Sequence, residues 1–529
     1  MKKIFITLLL LVSFFAYSQK PISGGHLKPL QAILDIRHYT ISLNIDIDNK
    51  SIDGYAEINL LLNKKTDSLL LDLQHVLKVS NVWVNKKETP FIQQDDFLYI
   101  LSHNGFDTGR QIIKVQYAGT PQVAKRPPWD GGFTWAKDSL GNPWIAITDE
   151  GEGAKILFPC KDHPSDEPNE GADLIITVPK GLTVAGPGLL MYKKNTSNKT
   201  TFHWKTNYPI NNYCILFNVG KYDVVTRNYT TVDGNIVPIQ FYVLSIHASK
   251  AQHHLDILER TIHVQEKYFG EYPFVKEKIG ICETPHLGME HQTMNAYGNN
   301  FKYVKVGGQD FDWLMHHEFG HEWWGNKVTA KDWAHYWIQE GICSFGDALY
   351  VREAEGENAY LEKMKQSSFH IQNKQPIVLG DEVVEEDAYQ PDIYSKGAFF
   401  MHTLRYVLGD SLFFPALKGF VTDPLYTYSN QVTTDDVEKY FSSKAQQNLK
   451  PLFDFYLRTT NKLAISIHQK EENKYVLKLL NFNGSLPVDI QTNTGLKRMM
   501  VDANGIEINS TTMPIADPKV YYLKTVLYE

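Results

Sequence analysis

Between Ile33 and Val243 apolar and polar residues tend to alternate. In Tyr39-Thr40-Ile41-Ser42-Leu43-Asn44-Ile45-Asp46-Ile47 every second side chain is apolar, the period of a half-buried strand. Similar short runs recur, divided by turn signals at Asp53-Gly54, Asn104-Gly105 and Asp233-Gly234. This predicts a large β domain. Near Ser245 the period changes. His247 to Phe269 reads as a helix, ended by Gly270 and then Pro273. A β segment is expected around Lys278 to Glu283. From Asp310 to about Thr459 helical spacing dominates, as in Met401 to Leu408 and Leu452 to Leu457. Beyond Leu463 the alternation returns in Ile465 to His468 and Tyr475 to Leu479, with Asn483-Gly484 as a turn. No internal repeat or low-complexity segment interrupts this order. The expected fold is multidomain α+β: a β domain over 19–243, an α-rich domain over 244–459 and a small β domain over 460–529.

The first eighteen residues stand apart. Lys2 and Lys3 precede a mostly apolar run from Ile4 to Phe15, and Ala16-Tyr17-Ser18 offers small residues where a signal peptidase reads them. The run is shorter than the roughly 20 residues a membrane span needs. Residues 1–18 are therefore read as a signal peptide, cleaved before Gln19, for a periplasmic or secreted protein. No cysteine marks a lipoprotein anchor, and no other stretch reads as transmembrane, so stable membrane insertion is not expected.

Composition narrows the function by exclusion. The chain has 529 residues, 43% hydrophobic and 21% charged, which is globular rather than disordered or fibrous. A formal net charge of −7 without a basic stripe argues against nucleic acid as a partner. The four cysteines, Cys160, Cys214, Cys282 and Cys343, form no CxxC pair, so a cysteine zinc site is not indicated. They are expected to be buried free thiols.

The chemistry concentrates at His317-Glu318-Phe319-Gly320-His321. On a helix, positions i and i+4 share a face, so His317 and His321 can reach one cation with Glu318 beside them. The bland alternative is a solvated polar helix face. Phe311, Trp313, Leu314, Met315, Phe319, Trp323 and Trp324 argue against it, because so apolar a helix is buried and buried histidines need partners. Hydrolytic zinc usually takes three protein ligands and leaves one position open. Glu340 is the expected third ligand. Gly325-Asn326 can end the first helix, Asp332 or a neighbour can start a second, and that helix returns a carboxylate to the metal. His316 is out of phase with the pair; Glu322 faces away or supports from behind. Zinc acidifies water and polarises carbonyls, and Glu318 is placed to take the proton as general base.

These residues resemble the gluzincin zinc aminopeptidases related to aminopeptidase N and the leukotriene hydrolases. The strong parts are the HExxH run through His321-Glu322-Trp323-Trp324-Gly325-Asn326, the eighteen residues before Glu340, and Trp337-Ile338-Gln339-Glu340-Gly341. Tyr268-Phe269-Gly270-Glu271-Tyr272-Pro273 matches as well. The resemblance implies a thermolysin-like catalytic domain over 244–459, a C-terminal β-sandwich, one zinc per chain, and peptide substrates with a free N-terminus. The family's G-x-M-E-N segment reads Leu287-Gly288-Met289-Glu290-His291 here. Glu290 keeps the carboxylate that binds the substrate's α-amine, and Gly288 and Met289 are expected substrate contacts. Leu287 and His291 depart from the pattern and put the local backbone contacts in doubt. A second amine-binding acid is implied near Phe158-Pro159-Cys160; Glu150 aligns with it, with Asp149 and Glu152 as competitors. The oxyanion donor falls on Tyr394 of Tyr394-Ser395-Lys396-Gly397-Ala398, with Tyr389 as the alternative. The family often continues into a large helical domain, which is not expected before Glu529, and an open site taking longer peptides would follow. A thermolysin-type endopeptidase, an epoxide hydrolase and a catalytically silent scaffold are the competing readings.

Overall fold

The computed structural model describes residues 22–529. The expected signal peptide and its cleavage point lie outside them.

The alternating segment at Tyr39 forms part of the strand Leu34–Asp46. Its inward residues Tyr39, Ile41, Leu43 and Ile45 are buried, because apolar burial selects one face of the pleat. This strand lies inside an eight-stranded sheet. Ser51–Leu62 pairs with it antiparallel on one side, and Ala172–Pro179 pairs parallel on the other. Smaller sheets of three and four strands complete the β domain around a core of its own.

The strands Tyr222–Thr230 and Ile236–Leu244 reach that core only through Tyr222, Tyr242 and Leu244. They pair with each other, and the second runs parallel to Ile279–Glu283 in a five-stranded sheet. Tyr229, Val237, Ile239, Phe241 and Val243 pack with the helices that follow. Two strands that alternation assigns to the segment before residue 243 thus pair into the sheet that the helices cover. Strand alternation reveals a sheet face but not which sheet receives it. The far edge of the five-stranded sheet is Gly288–Met289, paired to Asn295–Tyr297.

Helices cover this sheet. The helix expected from His247 begins as a 3-10 turn, Ser245–Lys250, and continues as α-helix Ala251–Phe269. Gly270 ends it at φ +88°, a conformation glycine adopts without strain. The helix Trp313–Gly320 is capped by Asp312, whose carboxylate accepts from Met315 N–H. It ends five residues before Gly325. After Gly320 the chain closes into tight turns in which Trp323 and Trp324 both donate to the Gly320 carbonyl, driving both indoles into the core. His321 keeps helical torsions of φ −66° and ψ −15°. Asp332 caps a 3-10 turn that leads into the helix Trp337–Glu355. The helix Pro391–Leu408 crosses it.

From Leu463 the strands form two small sheets, of four and three strands, packed together as the C-terminal β-sandwich. The four cysteines are free and buried, as expected. Among the described residues no helix is long and apolar enough to cross a membrane.

Candidate metal centre and active site

Three donor atoms converge where two helices meet. His321 Nε2 lies 3.4 Å from His317 Nε2, and Glu340 Oε2 lies 3.3 Å from each of the two. Ligands about 2.0–2.1 Å from a tetrahedral zinc stand roughly 3.3–3.4 Å apart, so the three atoms already have the spacing of one tetrahedral face. The opposite ring nitrogens are engaged. His317 Nδ1 lies 3.2 Å from Asp347 Oδ2, and His321 Nδ1 lies 2.9 Å from the Trp324 carbonyl. Both acceptors hold a proton on Nδ1, so Nε2 of each ring is the atom that gives up its proton when a metal binds. Glu340 is buried, which pushes its carboxyl up, but His321 and His317 outweigh this and hold it well below the usual range. The donor set fits one zinc ion.

Asp347 escaped the sequence reading. It sits seven residues after Glu340 on the same helix, two turns along one face, and that spacing was its only signal. Its second oxygen lies 2.7 Å from His316 Nδ1. His316 thus points away from the donor set yet shares its carboxylate. The paired imidazoles overcome the effect of burial and bring Asp347 down to about 2.

Glu318 stands beside the donors. Its carboxylate, that of Glu290 and the His321 ring form a second group whose ligand atoms lie within 4.8 Å of one another. Burial, then Glu290, push Glu318 up to about 8. A cation in the neighbouring donor set draws it back down. Gly288 is required by this packing: a Cβ there would meet Glu318 Oε1 at 2.9 Å and Leu314 at 2.8 Å.

These residues line one cavity of about 690 Å³, and Glu150, Met289, Glu290, Tyr389 and Tyr394 line it too. Asp149 and Glu152 do not; they turn into the β domain, so Glu150 alone of the three acids faces the donor set. Glu150 and Glu290 lie close together, and burial, followed by the charge of Glu290, pushes Glu150 well above the usual range. Glu290 Oε1 also accepts from Tyr213 at 3.0 Å, and its backbone carbonyl accepts from Asn326 Nδ2 at 2.8 Å. Glu322 faces away from the cavity. It accepts from Thr293 N–H and Asn295 Nδ2, each at 2.9 Å, and so pins the loop behind Glu290. Of the two departures, Leu287 is exposed and lines the cavity, whereas His291 is buried outside it.

The Tyr394 hydroxyl donates to Glu340 Oε1 at 2.8 Å and is hydrogen-bonded to Tyr389. Tyr389 is the more distant from that oxygen, at 3.4 Å. Burial, then Glu340, hold Tyr394 well above an ordinary phenol, so it keeps its proton.

A β domain beside an α-rich unit that carries this HExxH-and-glutamate donor set is the architecture of a gluzincin metallopeptidase. The model of the peptidase M1 N-terminal domain matches residues 36–214, and that of the peptidase family M1 domain matches 253–456. The chain belongs to the M1 peptidase family. It is 23% identical over 488 residues to the puromycin-sensitive aminopeptidase of Caenorhabditis elegans, covering 85% of this chain and 49% of that one. It is 22% identical over 402 residues to aminopeptidase N of Lactobacillus delbrueckii subsp. lactis, covering 72% and 46%. The chain thus spans about half the length of these curated relatives. The crystal structure of an M1 zinc metallopeptidase from Deinococcus radiodurans shares the fold with a TM-score of 0.67 at 21% identity, covering 81% of this chain and 94% of that one.

Proposed function

We propose that this protein is a zinc aminopeptidase that removes the N-terminal residue from peptides with a free α-amine. The observation that carries this reading is that the neighbouring carboxylates of Glu150 and Glu290 line the same cavity as the His317, His321 and Glu340 donors. Two buried carboxylates side by side repel, and one retains a proton until a cation replaces it. A substrate ammonium is such a cation. Reading it sets the scissile bond a fixed distance from the chain end, which an endopeptidase does not need.

Zinc held by His317, His321 and Glu340 supplies Lewis acidity, polarising a carbonyl and acidifying water. Glu318 takes the proton from the attacking water and returns it to the leaving amine. Tyr394, kept as a neutral phenol, donates to the developing oxyanion. Glu290 and Glu150 hold the ammonium, with Gly288 and Met289 along the substrate edge.

The test is a panel of aminoacyl chromogenic amides and matched peptides, with and without chelator. Chelator-sensitive release from free-amine substrates and at least 100-fold slower cleavage of the N-acetylated peptides support the reading. Equal rates on acetylated peptides would assign a thermolysin-type endopeptidase instead, and no turnover by zinc-loaded protein would assign a silent scaffold.

Export belongs to the same proposal. Lys2, Lys3, the Ile4 to Phe15 run and Ala16-Tyr17-Ser18 support it. Amino-terminal sequencing of the protein from extracytoplasmic fractions should begin at Gln19; recovery of an intact Met1 form from the cytoplasm alone would overturn it.

A further inference from the structure

A second cleft, of about 610 Å³, shares no lining residue with the metal cavity. Lys276, Lys327 and Lys418 line it, each from a different segment of the chain. Among the described residues none of the three has an ion-pair partner. Two carboxylates share the cleft. Glu271 already accepts from Thr231 at 2.5 Å and from Asn235 at 2.6 Å, and Asp233 sits exposed in a turn.

Lys327 is the unusual member. Lys276 and Lys418 are exposed, but Lys327 is only 8% exposed. Its stem is buried while its ammonium reaches the cleft without a hydrogen bond among the described residues. The ring of Tyr428, 5.6 Å away, is its contact there. Burial lowers its pKa to about 8, partly opposed by Glu271, so it remains charged at neutral pH. Glu271 is the acidic group that acts on Lys327, but it is not within ion-pair distance and is already held by Thr231 and Asn235, so an anion from solution can take the place beside the ammonium.

We propose that this cleft binds a phosphate-class oxyanion, with Lys327 as the buried anchor and Lys276 and Lys418 closing over it. A single carboxylate would need only one of these ammonium groups; a phosphoryl group can engage all three, and lysine serves it as a mobile point charge. The site is also wired to the metal cavity. Tyr428 N–H donates to the Lys327 carbonyl at 2.7 Å. The preceding residue, Asn326, donates its backbone N–H to the His321 carbonyl at 2.9 Å and its side chain to Glu290. An occupant of the cleft therefore bears on the turn that carries His321 and on the segment after strand Gly288–Met289 that carries Glu290.

The test is calorimetric titration of zinc-loaded protein with inorganic phosphate and, separately, O-phosphoserine. Ionic strength is matched with chloride, and an amino-acid hydroxamate is kept in the metal cavity so that phosphate cannot bind there. Binding that weakens at least tenfold in Lys327→Met and about threefold in Lys276→Ala or Lys418→Ala supports the proposal. Tighter binding of O-phosphoserine supports it and assigns the group to an organic carrier; tighter phosphate supports it as the free ion. No binding by the unaltered protein, or equal binding by Lys327→Met, overturns it. Should Lys327→Met not fold, the Lys276→Ala/Lys418→Ala double variant decides: loss of binding supports the site, and unchanged binding overturns it.

Discussion

A Cβ placed on Gly397 would lie 2.8 Å from the Cα of Gly341. The two helices that carry Glu340 and Tyr394 touch backbone to backbone at that point, and this contact sets the 2.8 Å hydrogen bond between the two side chains. Gly397→Val should push the helices apart. We expect a loss of about 1–3 kcal/mol in stability, as for overpacked cores, and a fall in kcat larger than any change in KM. Urea denaturation and steady-state kinetics check both; a variant with unaltered stability would show that the crossing tolerates a side chain.

Glu318→Gln keeps the shape of the side chain and removes the base. Its zinc content should match the unaltered protein while kcat falls by about 10²–10⁴-fold, the range of general-base contributions. Metal analysis beside kinetics separates the two effects. A near-normal rate would take the base role away from Glu318.

Asp347→Asn touches no expected metal-donor atom, yet it weakens the acceptor that orients His317. Zinc affinity should fall by about 10–100-fold, as for other outer carboxylates of metal sites. Competition with a chromogenic chelator measures this. His321 serves as the internal comparison, because its Nδ1 faces a backbone carbonyl that side-chain substitution leaves in place.

Glu290→Gln removes charge from the pair that faces the substrate amine. A charge-assisted hydrogen bond contributes about 1.5–3 kcal/mol, so kcat/KM for free-amine peptides should fall roughly 10–150-fold. Cleavage of N-acetylated peptides should change little, and the ratio between the two substrate types should narrow. A uniform fall on both would assign Glu290 to structure rather than to amine recognition.

Acid stability follows from buried neutral histidines. Burial lowers His254, His286, His291 and His402 to about 3, against about 6.5 in an unfolded chain. With the folded value depressed, the unfolded state binds more protons between these limits. Their contribution is present above pH 6.5 and is lost as pH falls toward 3. His254→Phe retains a ring against Tyr297 and Phe241 and should reduce the slope by up to about 1.4 kcal/mol per pH unit. Urea unfolding of chelator-stripped protein from pH 7 to 4 tests this without a contribution from metal release. An unchanged slope would remove His254 from the account.

Several features are local enough to be read along the chain. His317 and His321 share a helix face because 3.6 residues make a turn, and Tyr39, Ile41, Leu43 and Ile45 share a sheet face because strands repeat every two. The apolar setting of HExxH forces burial, and burial makes unpartnered imidazoles untenable. Those facts, with Glu340 and the family resemblance, pointed to the three donors, whose atoms the structure brings together. The tertiary structure decided the rest. Glu150 faces the cavity while Asp149 and Glu152 turn inward, though the three lie within four residues of one another. Tyr394 rather than Tyr389 approaches Glu340 more closely because two glycines let their helices meet. Asp347 bridges His316 and His317, and the strand pair Tyr222 to Leu244 joins the sheet of the metal-binding unit. Each of these depends on which surfaces pack across long sequence separations, and periodicity along the chain has no means to specify that.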